Sequence, residues 1–231
     1  AIPGGSGNGL VRGLRTPLEP HGAVQRLLEG RELAMDLPRL DGEPFLNLCG
    51  TGFEAALAHA FHVGDQRGFL GYAQLGLGLW RNYPEFSLVW EAEANDAPIA
   101  PGRLDRLRTA WRGPVQRLPE KAWSLCCANL PQYGSGLWIA PGADPTDGLL
   151  QWATLRRPGL LDLVSEVPQL FRENGQTSLR AEGQFQAASI RLQQAEPWHL
   201  DGEPCPARDR AELTVEPGAF RMQVTDACPW R

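Results

Sequence analysis

Gly4, Gly5, Ser6, Gly7 and Asn8 are a run of small, turn-forming residues that opens into the helical pattern Gly9-Leu10-Val11-Arg12. Consecutive glycines let backbone N–H groups gather round an anion, and a helix start adds partial positive charge, so a phosphate is the natural guest. The same run also suits a tight turn with nothing bound. Asp-Gly-Glu-Pro occurs twice, at Asp41 to Pro44 and Asp201 to Pro204, and both copies read as hairpin turns. In the second copy, Glu203 on such a turn could take a proton from a hydroxyl held beside it. The stretch Pro141 to Leu150 carries Asp144 and Asp147, whose oxygens suit a hard cation such as Mg²⁺, although as an isolated pattern this is more often a capped turn. Glu54 sits at a helix start, where the dipole stabilises a carboxylate, and a ligand-facing role is its alternative. His59 and His62 share that helix but have no third ligand nearby, which favours a solvated face over a metal site. Around Ser6 a G-x-S-x-G elbow fails because Asn8 replaces its second glycine, so a serine hydrolase is excluded.

The elements that must position these groups follow from periodicity. Short helices are expected over residues 9–14 and His21 to Glu29, then a strand over Pro44 to Cys49 entered through Asp41-Gly42. Gly50-Thr51-Gly52 reads as a turn feeding the Glu54 helix. Gly68 to Trp80 is apolar all round, which suits a core helix or the wall of a greasy pocket. From Phe86 onward closely spaced strands dominate, interrupted by an amphipathic helix with Leu160, Leu161, Val164, Val167, Leu170 and Phe171 on its apolar face. The expected fold class is α+β and mainly β, an antiparallel β-sandwich carrying a few helices.

Composition removes several functions. With 231 residues and 42% apolar content the chain can bury a real core. A net charge of −5 without a basic cluster argues against a nucleic-acid partner. Five cysteines in no CxxC arrangement fit a reduced, cytoplasmic setting better than disulfides or zinc, and no stretch is long enough to cross a bilayer as a helix.

In this order the motifs resemble the diacylglycerol kinase/sphingosine kinase family of lipid kinases. Pro3-Gly4-Gly5-Ser6-Gly7-Asn8 looks like that family's P-x-G-S/T-x-N loop, and Asn47 through Ala55 its N-x-x-x-x-G-F-D/E-A segment. Asn129, Gly134, Gly136, Ala140-Pro141, Ala143 and Asp147-Gly148 follow its central signature, with Ser135 in place of the middle glycine. Leu200-Asp201-Gly202-Glu203 matches its D-G-E. The resemblance implies an NAD-kinase-like α/β domain that binds ATP and a β-sandwich that holds the lipid, with the site in the cleft between. The family's G-G-D-G-T would precede the loop seen here, so the chain is expected to be the second domain plus the tail of the first, and inactive alone. Residues 1–35 would be that remnant, 36–219 the lipid-binding sandwich, and 220–231 a return to the first domain. Carried over by position, Glu203 becomes the base, Gly4, Gly5, Ser6, Gly7 and Asn8 the phosphate cradle, and Arg67 a further phosphate contact. Asp147 with the carbonyls of Asp144 and Leu149 becomes the Mg²⁺ site. Gly9 stands where many diacylglycerol-type members carry an aspartate. The implied partners are a lipid substrate, ATP and, transiently, a membrane surface; a homodimer stays open, as do sphingosine-like specificity, a non-catalytic lipid-binding module and a kinase of a polar acceptor.

Overall fold

The computed structural model describes residues 1–5, 7–63, 75–93 and 120–231. Helices α1 (Gly9–Gly13) and α2 (Pro20–Leu28) lead into β1 (Arg31–Leu40), which an Asp41-Gly42 turn folds onto the short β2 (Glu43–Pro44). β3 (Leu48–Gly52) runs into α3 (Phe53–Val63), and β4 (Phe86–Glu93) and β5 (Lys121–Ala122) follow. β6 (Ser124–Ala128), the small ribbon β7 (Gln132–Gly134) and β8 (Leu137–Trp138), and β9 (Leu150–Leu155) complete the middle of the chain. A short helix at Asp162–Ser165 and a 3-10 turn at Val167–Phe171 precede β10 (Arg180–Phe185), β11 (Ala187–Leu200) and β12 (Glu203–Val224).

Among the described residues every strand pairing is antiparallel, and the main path runs β10-β9-β6-β3-β11-β12-β1-β2. β11 switches partners along its length. Residues 187–192 pair with β4, and Trp198 to Leu200 pair with β3. The branching lets the sheet close on a shared core that includes Phe45, Leu88, Leu125, Trp152, Ile190 and Trp198, and the result is the expected mainly-β, sandwich-like α+β fold. Leu125 to Ala128 of β6 are an unbroken apolar run because the strand is buried on both faces. Leu125 and Cys127 enter the main core, while Cys126 and Ala128 face a second cluster with Leu48, Ile139 and Ala153. All five cysteines are free and buried, and burial holds the Cys49 and Cys126 thiols well above their usual pKa.

Several boundaries differ from expectation. Arg31–Leu40 is a full strand, and the strand expected over Pro44 to Cys49 splits, with the N–H groups of Leu46 and Asn47 meeting a side chain described below in place of a ladder partner. Gly50 and Thr51 lie within β3, so only Gly52, at φ 87°, makes the turn into α3. Pro168 breaks the expected amphipathic helix into two short pieces. Only residues 75–80 of the apolar Gly68 to Trp80 stretch are described, and they are helical. The β1–β12 ladder carries a bulge between Met35 opposite Phe220 and Leu37 opposite Glu216. Beyond it Leu33, Met35, Met222 and Val224 pack with Leu14 and Leu130 in a separate small core.

Candidate functional site

Glu203 stands on a stem fixed by its neighbours. Asp201 and Gly202, at φ 51° and 92°, form the two-residue turn between β11 and β12, and Leu200 faces Glu203 across it. The Asp201 carboxylate accepts from the N–H groups of Leu46 (2.8 Å), Asn47 (2.8 Å) and Leu48 (3.0 Å). The Gly202 N–H donates to His199 Nδ1 at 3.3 Å. Glu203 is left 80% exposed, with Oε2 3.7 Å from His62 Nδ1. The first Asp-Gly-Glu-Pro copy has the same turn but another neighbourhood: Asp41 accepts from Glu212 N–H and pairs with Arg208. Sequence alone made the two copies alike; the segment that each aspartate captures separates them.

Beneath the turn lies a buried polar pair. Glu54, on the first turn of α3, places Oε1 3.5 Å from His199 Nε2. Burial raises the Glu54 carboxyl pKa, and His199 and Ser124 offset part of that rise. A Cβ on residue 50 would lie 1.6 Å from Glu54 Oε1, so glycine is required there. The histidines of α3 have separate duties, His59 Nε2 meeting the Trp198 carbonyl at 3.0 Å while His62 faces Glu203. No group of three metal-ligating side chains occurs among the described residues.

The glycine loop is curled on itself. The N–H groups of Gly4 and Gly5 converge on Asn8 Oδ1 at 3.2 and 3.1 Å, and Asn8 adopts φ 49°. Gly7 is clasped to the β7–β8 ribbon, its carbonyl accepting from Ser135 N–H at 2.9 Å. Gly9 packs so tightly that a Cβ would stand 2.3 Å from the Tyr133 carbonyl oxygen and 2.5 Å from Asn47 Nδ2, so the aspartate common in the resembled family has no room here. Asn47 and Asn129 act as staples: Asn47 Nδ2 donates to the Gln132 carbonyl, and Asn129 Nδ2 to those of Asp36 and Leu46.

The loop and Glu203 border one cleft of about 1210 Å³. Gly4, Gly5, Gly7 and Asn8 lie on its wall with Asp201, Gly202, Glu203 and His62. The remaining wall is largely apolar, including Leu57, Phe61, Trp80, Trp123, Leu170 and Phe171. A polar rim carrying a carboxylate beside an apolar hollow can hold a hydroxyl-bearing lipid with its polar end at Glu203.

Asp144, Asp147 and Leu149 are not among the described residues lining that cleft. Their turn packs on the β1 bulge instead, where buried Asp36 accepts from Gly148 N–H (2.7 Å) and Gly218 N–H (2.8 Å). Asp144 Oδ1 accepts from the Thr146 N–H and hydroxyl, and Asp147 Oδ1 from Leu149 N–H. Although Asp147 is exposed to solvent, desolvation by the surrounding turn raises its carboxyl pKa, and the nearby charges of Asp144 and Asp36 add to the rise. Both Asp36 oxygens are taken by backbone N–H groups, which leaves this turn two carboxylates, fewer than the three ligating side chains that would mark a metal site.

Of the residues carried over by position, the structure therefore gathers Glu203 with Gly4, Gly5, Gly7 and Asn8, and sets the Asp144–Leu149 turn apart. Ser6 and Arg67 lie outside the described residues. Sequence reasoning assigned no role to Asp36 or His199, and it showed Asp201 only as a turn residue and motif member, not as the anchor of residues 46–48. An acid inside the otherwise apolar run Leu33 to Leu37 was the available sign for Asp36, and no local pattern marks His199.

Comparison with known proteins bears on this geometry. Residues 111–224 match the family described as the YegS C-terminal NAD kinase beta sandwich-like domain. The chain is 28% identical over 229 residues to a probable lipid kinase YegS-like of Pseudomonas fluorescens strain Pf-5, covering 99% of this chain and 69% of that protein. It is 25% identical over 230 residues to a probable lipid kinase YegS-like of Yersinia pestis strain Pestoides F, covering 99% and 70%. The crystal structure of a diacylglycerol kinase from Bacillus anthracis str. Sterne shares the fold, with a TM-score of 0.68 at 18% identity over 98% of this chain and 68% of that one.

Proposed function

Starting from a chain homologous to the probable lipid kinases of the YegS type and carrying their C-terminal β-sandwich-like domain, we propose that the protein transfers the γ-phosphate of ATP to the hydroxyl of diacylglycerol or a related lipid. The observation that carries this reading is the shared cleft, in which an exposed carboxylate, a glycine loop and an apolar hollow of about 1210 Å³ adjoin. The acyl chains occupy the hollow between Leu57, Phe61, Trp80 and Phe171, which places the hydroxyl at the polar rim. Glu203 accepts the hydroxyl proton as the oxygen attacks the γ-phosphorus and the bond to the ADP oxygen breaks, with His62 Nδ1 3.7 Å from the carboxylate. Gly4, Gly5 and Gly7 offer backbone N–H groups to the phosphates once Asn8 Oδ1 yields the two that it holds. A Mg²⁺ ion, if held by Asp144, Asp147 and the Leu149 carbonyl, braces the β1 bulge. The working setting is the cytoplasmic face of a membrane.

The test is transfer of labelled γ-phosphate to diacylglycerol by the native full-length polypeptide, compared with Glu203→Gln. Loss of transfer in the variant supports the proposal. An unchanged rate removes Glu203 as the base, and no transfer to any lipid hydroxyl while a small polar acceptor is phosphorylated overturns the substrate class.

A further inference from the structure

Gly50 lies in the middle of β3, directly opposite His199 of β11 on one side and Cys126 of β6 on the other. Glycine weakens a strand interior, because it packs nothing and loses more backbone freedom than other residues. Here the missing side chain leaves the slot that the Glu54 carboxyl fills from the first turn of α3, beside the His199 imidazole. Both side chains are buried, His199 completely, and the buried Ser124 hydroxyl is the other polar group beside the carboxyl. The facing atoms, Glu54 Oε1 and His199 Nε2, are 3.5 Å apart, and neither makes a hydrogen bond elsewhere among the described residues. That separation is slightly beyond hydrogen-bond length, and closing it costs less than leaving two buried polar atoms unpaired.

The other ring nitrogen locates the imidazole proton. Gly202 N–H donates to His199 Nδ1 at 3.3 Å, so Nδ1 is the bare nitrogen and the ring proton sits on Nε2, toward Glu54. A proton on Nδ1 would set two N–H groups against each other. A carboxyl oxygen at one ring nitrogen thus fixes what the other nitrogen offers. The ring is confined from further sides. Tyr133 of β7 meets it edge-on, with ring centroids 5.5 Å apart, and His59 of α3 meets the carbonyl of the preceding residue, Trp198, at 3.0 Å. Three elements of the cleft wall therefore converge on one side chain: α3 through Glu54, the ribbon that clasps the glycine loop through Tyr133, and the Glu203 turn through Gly202.

We propose that His199 is a positioning residue for Glu203, its Nδ1 holding the Gly202 N–H beside the base while Glu54 fixes the ring that presents it. Glu203 is 80% exposed and has little packing of its own to aim it, so the direction of its carboxylate is inherited from the turn. The Asp201 carboxylate ties that turn to residues 46–48, and His199 adds the tie to α3. A reacting group displaced by about 1 Å loses on the order of 10²-fold in rate, so a second tie acts on kcat before it acts on substrate binding. This role rests on the reading of Glu203 as the base; the tautomer and contacts of the ring stand without it.

The test is a double-mutant cycle on labelled phosphate transfer to diacylglycerol by the native full-length polypeptide, with His199→Leu, His199→Asn and Glu203→Gln. Asparagine keeps an acceptor at the δ position for the Gly202 N–H, whereas leucine keeps only bulk. His199→Leu should lower kcat about tenfold or more with the KM for lipid within about twofold, and His199→Asn should recover most of that loss. Added to Glu203→Gln, His199→Leu should cost nothing further, because it acts through the side chain already removed. A histidine that only fills space gives the reverse order, since leucine suits a buried site better than asparagine, and its loss multiplies with that of Glu203→Gln. Either result overturns the proposal. Nitrogen-15 spectra of the imidazoles in the same polypeptide, with His199 identified by its loss in His199→Asn, test the geometry without activity. A proton on Nε2 and none on Nδ1 is expected, and a proton on Nδ1 overturns the proposal. If Glu203→Gln alone transfers phosphate at the wild-type rate, the base assignment fails and the positioning role falls with it, while the imidazole spectrum still reports on the ring.

Discussion

Replacing Asp201 with alanine should loosen the stem on which Glu203 sits. The carboxylate holds three N–H groups of residues 46–48, more than 150 residues away in the chain. A hydrogen bond to a charged acceptor contributes about 1.5–3 kcal/mol. The Leu46 bond is exposed and the other two are partly buried, so water replaces much of what is lost. Discounted for this, and with about 1 kcal/mol added for alanine at φ 51°, the expected destabilisation is about 3–4 kcal/mol. Asp201→Asn keeps one acceptor oxygen and a residue type that tolerates positive φ, so it should cost about 1–2 kcal/mol. Urea unfolding midpoints at constant slope give both values, and Tm should fall by roughly 2–4 °C per kcal/mol for a chain of this size. If Asp201→Ala unfolds within about 0.5 kcal/mol of the wild type, the turn is not held by this carboxylate, and the positioning assigned to it is wrong.

Further outcomes follow from the same structure. Glu203→Gln should lower kcat by about 10²-fold or more with little change in the KM for lipid, as steady-state assays of the native full-length polypeptide would show. With its pKa at about 7 against an ordinary 3.8, folded Asp147 holds its proton after the unfolded chain has released it. Its contribution to stability therefore falls as pH rises from about 4 to about 7, and Asp147→Asn should stabilise the protein above that window but not below it, measured as Tm against pH. At alkaline pH, added Mg²⁺ should raise the Tm of the wild type and not that of Asp147→Asn. Gly9→Asp places a side chain against the Tyr133 carbonyl and should cost about 1–3 kcal/mol in urea unfolding.

Much of the fold was written in local pattern. The Asp-Gly turns at 41–42 and 201–202 announced both hairpins, because two successive residues with positive φ favour those residue types. The alternation of β4 and the unbroken apolar run of β6 marked strands in the expected places. What local pattern could not give was the partner of each element. Leu160, Leu161 and Val164 keep helical spacing with Val167 and Phe171, so periodicity joined them on one face until Pro168 and the tertiary contacts parted them. The site divides in the same way. Glu203 and the glycine loop were legible as motifs, but their meeting in one cleft is a fact of topology, and so is the packing of the Asp144–Leu149 turn on the β1 bulge. The Glu54–His199 pair joins residues 145 positions apart and leaves no mark in either neighbourhood.

Photolabelling of the native protein with a diacylglycerol carrying a diazirine in its acyl chain, followed by peptide mapping, examines the lipid site itself. Labels should fall on Leu57 or Phe61 of α3 and on residues 163–171, the walls of the apolar hollow below Glu203. Labels confined to surfaces outside the cleft, or unchanged by competing unlabelled diacylglycerol, would contradict the placement of a lipid there.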